Sequence, residues 1–77
     1  MALSSEDLNE IDSIIVEYLV EGRVTPVYLR ERIIDEKIRE SISEQYLGQR
    51  LKRLQEHNHV KNLYDTGLYE LQEDPRD

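Results

Sequence analysis

Residues 42–60, ISEQYLGQRLKRLQEHNHV, decide how this 77-residue chain is read. Ser43 stands where a side-chain oxygen can accept from an unpaired N–H of a first helical turn, and Ile42 and Leu47 hold the two positions of a hydrophobic staple. Leu47, Leu51 and Leu54 recur at i, i+4 and i+7, a single apolar stripe at about 100° per residue. Gln45, Gln49, Lys52 and Glu56 fall on the opposite side, flanked by Tyr46, Arg50 and Arg53. Leucines behind and Gln, Lys and Arg in front suit a helix that rests on a small domain and enters the major groove of double-stranded DNA. Any solvated amphipathic helix shares this pattern, so the flanking sequence has to discriminate.

Upstream, Thr25-Pro26 gives a cap with proline at the first helical position, where its missing N–H costs nothing, and Val24 and Leu29 repeat the staple. The helix so begun turns Leu29, Ile33, Ile34 and Ile38 inward and is expected to run to about Glu40. Only Ser41 and Ile42 then precede the cap at Ser43, and two helices joined by a tight turn make a helix-turn-helix. Further upstream, Ser4 as cap, Asp7 as its capping-box partner and Leu3 with Leu8 as staple predict a first helix over about residues 5–20, carrying Leu8, Ile11, Ile15, Tyr18 and Leu19, with Ile14 beside them.

Downstream, Asn58 suits a left-handed helix end, and the period then changes to alternation. Val60, Leu63 and Tyr64 form one run and Leu68, Tyr69 and Leu71 another, with Asp65-Thr66-Gly67 between them as a hairpin tip. The segment around Val24 can add a third, very short strand. The expected fold class is therefore α+β: a winged helix-turn-helix of three helices and a small antiparallel β-hairpin wing. It fills residues 1–72, and a flexible acidic tail containing Pro75 occupies residues 73–77.

Composition bounds the function. The chain allows one domain near the lower size limit for a lone core, so homodimerisation would be a natural supplement. Apolar residues on more than one stripe of the first helix, Ile14 as well as Ile11 and Ile15, point the same way. There is no cysteine, hence no disulfide, thiolate zinc site or catalytic thiol. No apolar run is long enough for a membrane span and the N-terminus does not resemble a secretory signal, so a cytoplasmic location is expected. The net charge of −7 opposes a nucleic-acid partner, which needs a positive field. Between Glu44 and Lys61, however, Arg50, Lys52, Arg53 and Lys61 face only Glu44 and Glu56, a local balance of +2 that leaves −9 for the remainder.

Helix, short strand, helix, helix, hairpin is the winged-helix order. The segments VTPVYLRERI, ISEQYLGQRLKRLQEHNHV and LYDTGLYELQEDPRD resemble the small winged-helix regulators of haloarchaea and their viruses, the phage phi-H repressor-like family. The resemblance covers nearly the whole chain. It implies a dimeric, repressor-like DNA-binding transcriptional regulator, and an acidic surface adapted to a salty cytoplasm. The chain departs from those relatives at Glu44, where a basic residue is common, and in residues 34–41, a longer link than usual. Its wing tip, Asp65-Thr66-Gly67, also lacks a basic residue.

The expected DNA-binding set is Ser43, Gln45, Tyr46, Gln49, Arg50, Lys52 and Arg53, with Gln45 and Gln49 reading bases and the three cations gripping phosphate. His57 and His59 lie two apart with no cysteine nearby, and read as polar residues at a helix end rather than metal ligands. Carboxylates are spread along solvated faces with no cue for a catalytic pair, so no enzyme, cofactor or small-molecule effector is expected. Tyr18, Tyr64 and Tyr69 read as packing residues, and Tyr28 and Tyr46 as possible ligand contacts. The alternative to a DNA-binding regulator is a winged-helix module that binds protein, as an adaptor or assembly subunit.

Overall fold

A computed structural model of the chain describes residues 8–75. Three helices, α1 (Glu10–Glu21), α2 (Pro26–Asp35) and α3 (Glu44–Glu56), precede two antiparallel strands, β1 (Val60–Leu63) and β2 (Leu68–Leu71). This is the expected α+β winged-helix layout. Thr25 Oγ1 accepts from the Tyr28 N–H at 3.0 Å and Ser43 Oγ from the Tyr46 N–H at 3.0 Å, so α2 and α3 start where their caps dictate. Val24, Leu29 and Leu47 are buried, and Ile42 packs against the core, as the staples require.

The start of α1 differs from expectation. Leu3, Ser4 and Asp7 lie outside the described residues, and the helix begins at Glu10 with Asn9 as its cap. Asn9 Oδ1 accepts from the Asp12 N–H at 2.7 Å while Asp12 Oδ2 accepts from the Asn9 N–H at 3.1 Å. Asn9 and Asp12 thus form the same reciprocal box five residues after Ser4, with a carboxylate that is also needed elsewhere.

The end of α2 is a second correction, at Asp35 rather than near Glu40. Lys37 takes a left-handed φ of 61°. Its N–H donates to the Ile34 carbonyl at 3.0 Å, and the Ile38 N–H donates to Ile33 at 3.1 Å, the two bonds of a Schellman stop. The cause is apolar: on a continued helix Ile38 would lie about 140° from Ile33, off the core face, and the left-handed turn brings it back against the core. The link to α3 is therefore residues 36–43, not two residues. Asn58, with φ 64°, ends α3 in the same way as the sequence suggests, its N–H on Gln55 at 3.0 Å and that of His59 on Leu54 at 2.9 Å.

In the hairpin Val60 pairs with Leu71 and Leu63 with Leu68. Val24 adds the short third strand as an isolated antiparallel bridge, its N–H on Tyr69 at 3.0 Å and the Tyr69 N–H on Val24 at 2.7 Å. At the tip Thr66 N–H bonds the Leu63 carbonyl at 3.1 Å across Tyr64 and Asp65, whose φ angles are 53° and 56°. That turn throws Tyr64 outward, and at 95% exposure it is not the packing residue its sequence position suggests.

One core joins Ile11, Ile15, Tyr18 and Leu19 of α1, Leu29 and Ile33 of α2, Leu47, Leu51 and Leu54 of α3, and Val24, Val60 and Tyr69. A polar clamp binds α1 to the end of α2. The Tyr18 hydroxyl donates to Glu36 at 2.8 Å, Arg32 lies 4.0 Å over the Tyr18 ring, and Arg32 pairs with Glu21 and Glu36 at 2.7 Å each. Hydrogen bonds from Arg32 and Tyr18 hold the Glu36 carboxyl below the usual range.

His59, a polar residue at the end of α3, is buried. Its Nδ1 lies 2.9 Å from the Glu73 carbonyl, which only accepts, so Nδ1 carries the proton there. The His59 carbonyl in turn accepts from the Gln72 and Glu73 N–H groups at 2.8 and 3.2 Å. Where a flexible tail is expected from residue 73, the chain is held to the body as far as Pro75, itself buried. Among the described residues no helix is long and apolar enough to cross a membrane.

Candidate nucleic-acid interface

Because Leu47, Leu51 and Leu54 are fully buried, α3 cannot roll, and its opposite face is fixed toward solvent. Gln45, Gln49, Lys52, Gln55 and Glu56 are exposed there. Ser43 is exposed too, with its hydroxyl engaged in the cap. Glu44, at the first helical position, complements the helix dipole but would repel a phosphate.

The half-buried flank of the expected set serves another purpose. Arg50 Nε donates to Asp12 Oδ1 at 2.7 Å, and its Nη2 donates to Asp12 Oδ2. Asp12 is 1% exposed. This bidentate pair fixes α3 against α1, and the same hydrogen bonds hold the Arg50 guanidinium above its ordinary range. Arg50 thus braces α3 against α1, a role that its position on the wheel does not reveal. Tyr46 joins the brace: its hydroxyl accepts from Asn9 Nδ2 at 3.1 Å and its ring packs against the core. Arg53 is half-buried, its Nε shielded from solvent and without a hydrogen-bond partner. Lys52, Arg53 and Lys61 are the cations of this stretch that remain once Arg50 is taken.

Asp12 was legible in principle. It sits four after Leu8, three before Ile15 and seven before Leu19, so a carboxylate lies in the apolar stripe of α1 and demands a buried cation. Which cation answers it is a tertiary fact. Gly48 is the other residue whose part emerges only in three dimensions. It lies mid-helix beside the exposed face, and a Cβ added to it would meet nothing within 4 Å, so packing inside the fold does not require glycine there.

Among the described residues no three His, Asp or Glu side chains gather to hold a metal. The wing tip, Tyr64, Asp65, Thr66 and Gly67, presents an uncovered ring and a carboxylate and no cation. Three helices, a hairpin and an outward polar face on the third helix define the class: a winged helix-turn-helix domain. Comparison with protein-family models, with curated proteins and with solved structures gives no match.

Proposed function

We propose that the chain is a small intracellular DNA-binding transcriptional regulator, repressor-like, that reads the major groove with α3. The observation that carries this reading is the outward face of α3, where Gln45, Gln49 and Lys52 are exposed on a helix whose back is locked into the core. Gln can pair bidentately with adenine in the major groove. The resemblance to haloarchaeal winged-helix regulators supports the same function.

The second reading, a protein-binding module, is favoured by the removal of Arg50 into an ion pair and by a wing tip without a cation. An electrophoretic shift with genomic fragments in molar potassium chloride separates the two. A subset of fragments should be retarded; retardation of none would leave the protein-binding module.

Two variants test the face itself. Gln49→Ala should relax base preference at one position of each half-site, a discrimination of about 1–3 kcal/mol. Equal weakening on every sequence would show that Gln49 reads no base. Glycine inside a helix is less stable than alanine by about 0.5–1 kcal/mol, so Gly48→Ala should raise the unfolding free energy by that amount. The same methyl, placed where the helix backbone meets DNA, should weaken binding. A variant that is more stable and binds unchanged would show that DNA does not approach α3 at Gly48.

A further inference from the structure

We infer that the groove between the end of α3 and β1 seats a backbone phosphodiester of the DNA whose bases α3 reads; the assignment rests on the DNA-binding reading above. Gln55, Asn58, Val60, Lys61, Asn62 and Gln72 line it. Seventeen of the 77 residues are Asp or Glu, yet none stands in this wall. The grooves beside α1, on α2 and at the start of α3 hold Glu70, Glu31 with Asp35, and Glu44 respectively. Glu70 is opposite Lys61 in the hairpin register, but it pairs with Arg23 at 3.3 Å and lines the groove beside α1. Lys61 is left exposed, outside the ion pairs found among the described residues.

The lining selects a ligand that accepts hydrogen bonds. An ammonium only donates, and a side-chain amide whose oxygen is already engaged offers its hydrogens. Asn62 is in that state: its Oδ1 accepts from the Gly67 N–H at 2.8 Å, which fixes the amide's orientation and leaves Nδ2 for a ligand. The last carbonyls of α3 do not stand open to oppose an anion, since those of Arg53, Leu54 and Gln55 accept from the N–H groups of His57, His59 and Asn58. Position agrees with chemistry. Gln49, Lys52 and Gln55 form one i+3 row on the exposed face of α3, and the row ends in the groove. Gln55 lies ~9 Å beyond Gln49 along the helix axis, the scale on which a major groove ~12 Å wide passes from base edges to backbone. A peptide added to the outer edge of β1 is the competing occupant, but a lysine inside a four-residue strand discourages strand addition. Lys61 so placed supplies a phosphate contact to a wing whose tip has no cation.

Binding to a DNA fragment that the wild type retards, measured across a potassium chloride series, tests it. The logarithm of the association constant falls against that of salt by about 0.9 for each phosphate neutralised. Lys61→Gln should flatten the slope by about that amount and weaken all sequences alike. Asn62→Asp keeps an acceptor for the Gly67 N–H but puts a carboxylate oxygen where Nδ2 stood. It should weaken binding by about tenfold or more, with an unchanged circular dichroism spectrum. A methylphosphonate removes one backbone charge; walked along the fragment, it should find a position where it weakens the wild type and not Lys61→Gln. If the wild type binds and Lys61→Gln leaves its slope unchanged, the phosphate seat is overturned, the regulator reading stands and the groove passes to a peptide. The same holds if Asn62→Asp binds as the wild type does, or if no methylphosphonate position separates wild type from Lys61→Gln. A wild type that binds no DNA overturns both.

Discussion

Arg50→Ala is expected to lower the unfolding free energy by about 3–5 kcal/mol, the cost of leaving a buried charge without its partner. The Asp12 carboxylate is 1% exposed and takes two guanidinium hydrogen bonds, leaving only the Asn9 N–H when Arg50 is shortened. Small domains hold roughly 0.05–0.15 kcal/mol per residue of net stability, so such a loss approaches the whole margin. Urea titration in molar potassium chloride measures it. Adding Asp12→Asn to Arg50→Ala should recover part of the loss, because the amide buries no charge and still accepts from Asn9. A loss below about 1 kcal/mol would mean a solvated pair and would return Arg50 to the candidates for phosphate contact.

Between pH 10 and 12 the fold should lose about 2–3 kcal/mol of stability through Tyr18 alone. Burial first, and then the hydrogen bond to Glu36, push its hydroxyl up to about 12 from the ordinary tyrosine value of 10.0. A raised acid is neutral in the folded state where the unfolded chain already ionises. Its contribution is therefore complete below pH 10 and is lost as the pH climbs to 12. Chemical denaturation across this interval should show the decline, and Tyr18→Phe, starting lower for want of the Glu36 bond, should show a flatter one. Equal slopes in the two proteins would place the alkaline sensitivity on other groups.

Local chemistry made most of this fold readable. Thr25 and Ser43 are caps whose effect is complete within one helical turn, and Asn58 and Gly67 hold left-handed positions that few other residues favour. The misreadings arose where two local signals competed or where the deciding partner was distant in sequence. Asn9 with Asp12 and Ser4 with Asp7 are equivalent boxes on paper; the former also brings Asp12 to Arg50, thirty-eight residues on. Lys37 gives no hint of a helix stop, because what ends α2 is the return of Ile38 to the core. For the candidate interface, the outward Gln45, Gln49 and Lys52 follow from periodicity alone. Arg50 does not, since a helical wheel cannot say whether a flanking cation faces solvent or a carboxylate on another helix.

The clamp at His59 has a mechanical consequence. Its carbonyl and ring hold Gln72 and Glu73, so residues 59–73 form a ring closed by hydrogen bonds at the root of the wing. A load applied from the C-terminal side, as by a tethered partner, meets the packing of Pro75 and then these bonds. They lie at the foot of α3, and the helix is disturbed only after that ring has opened.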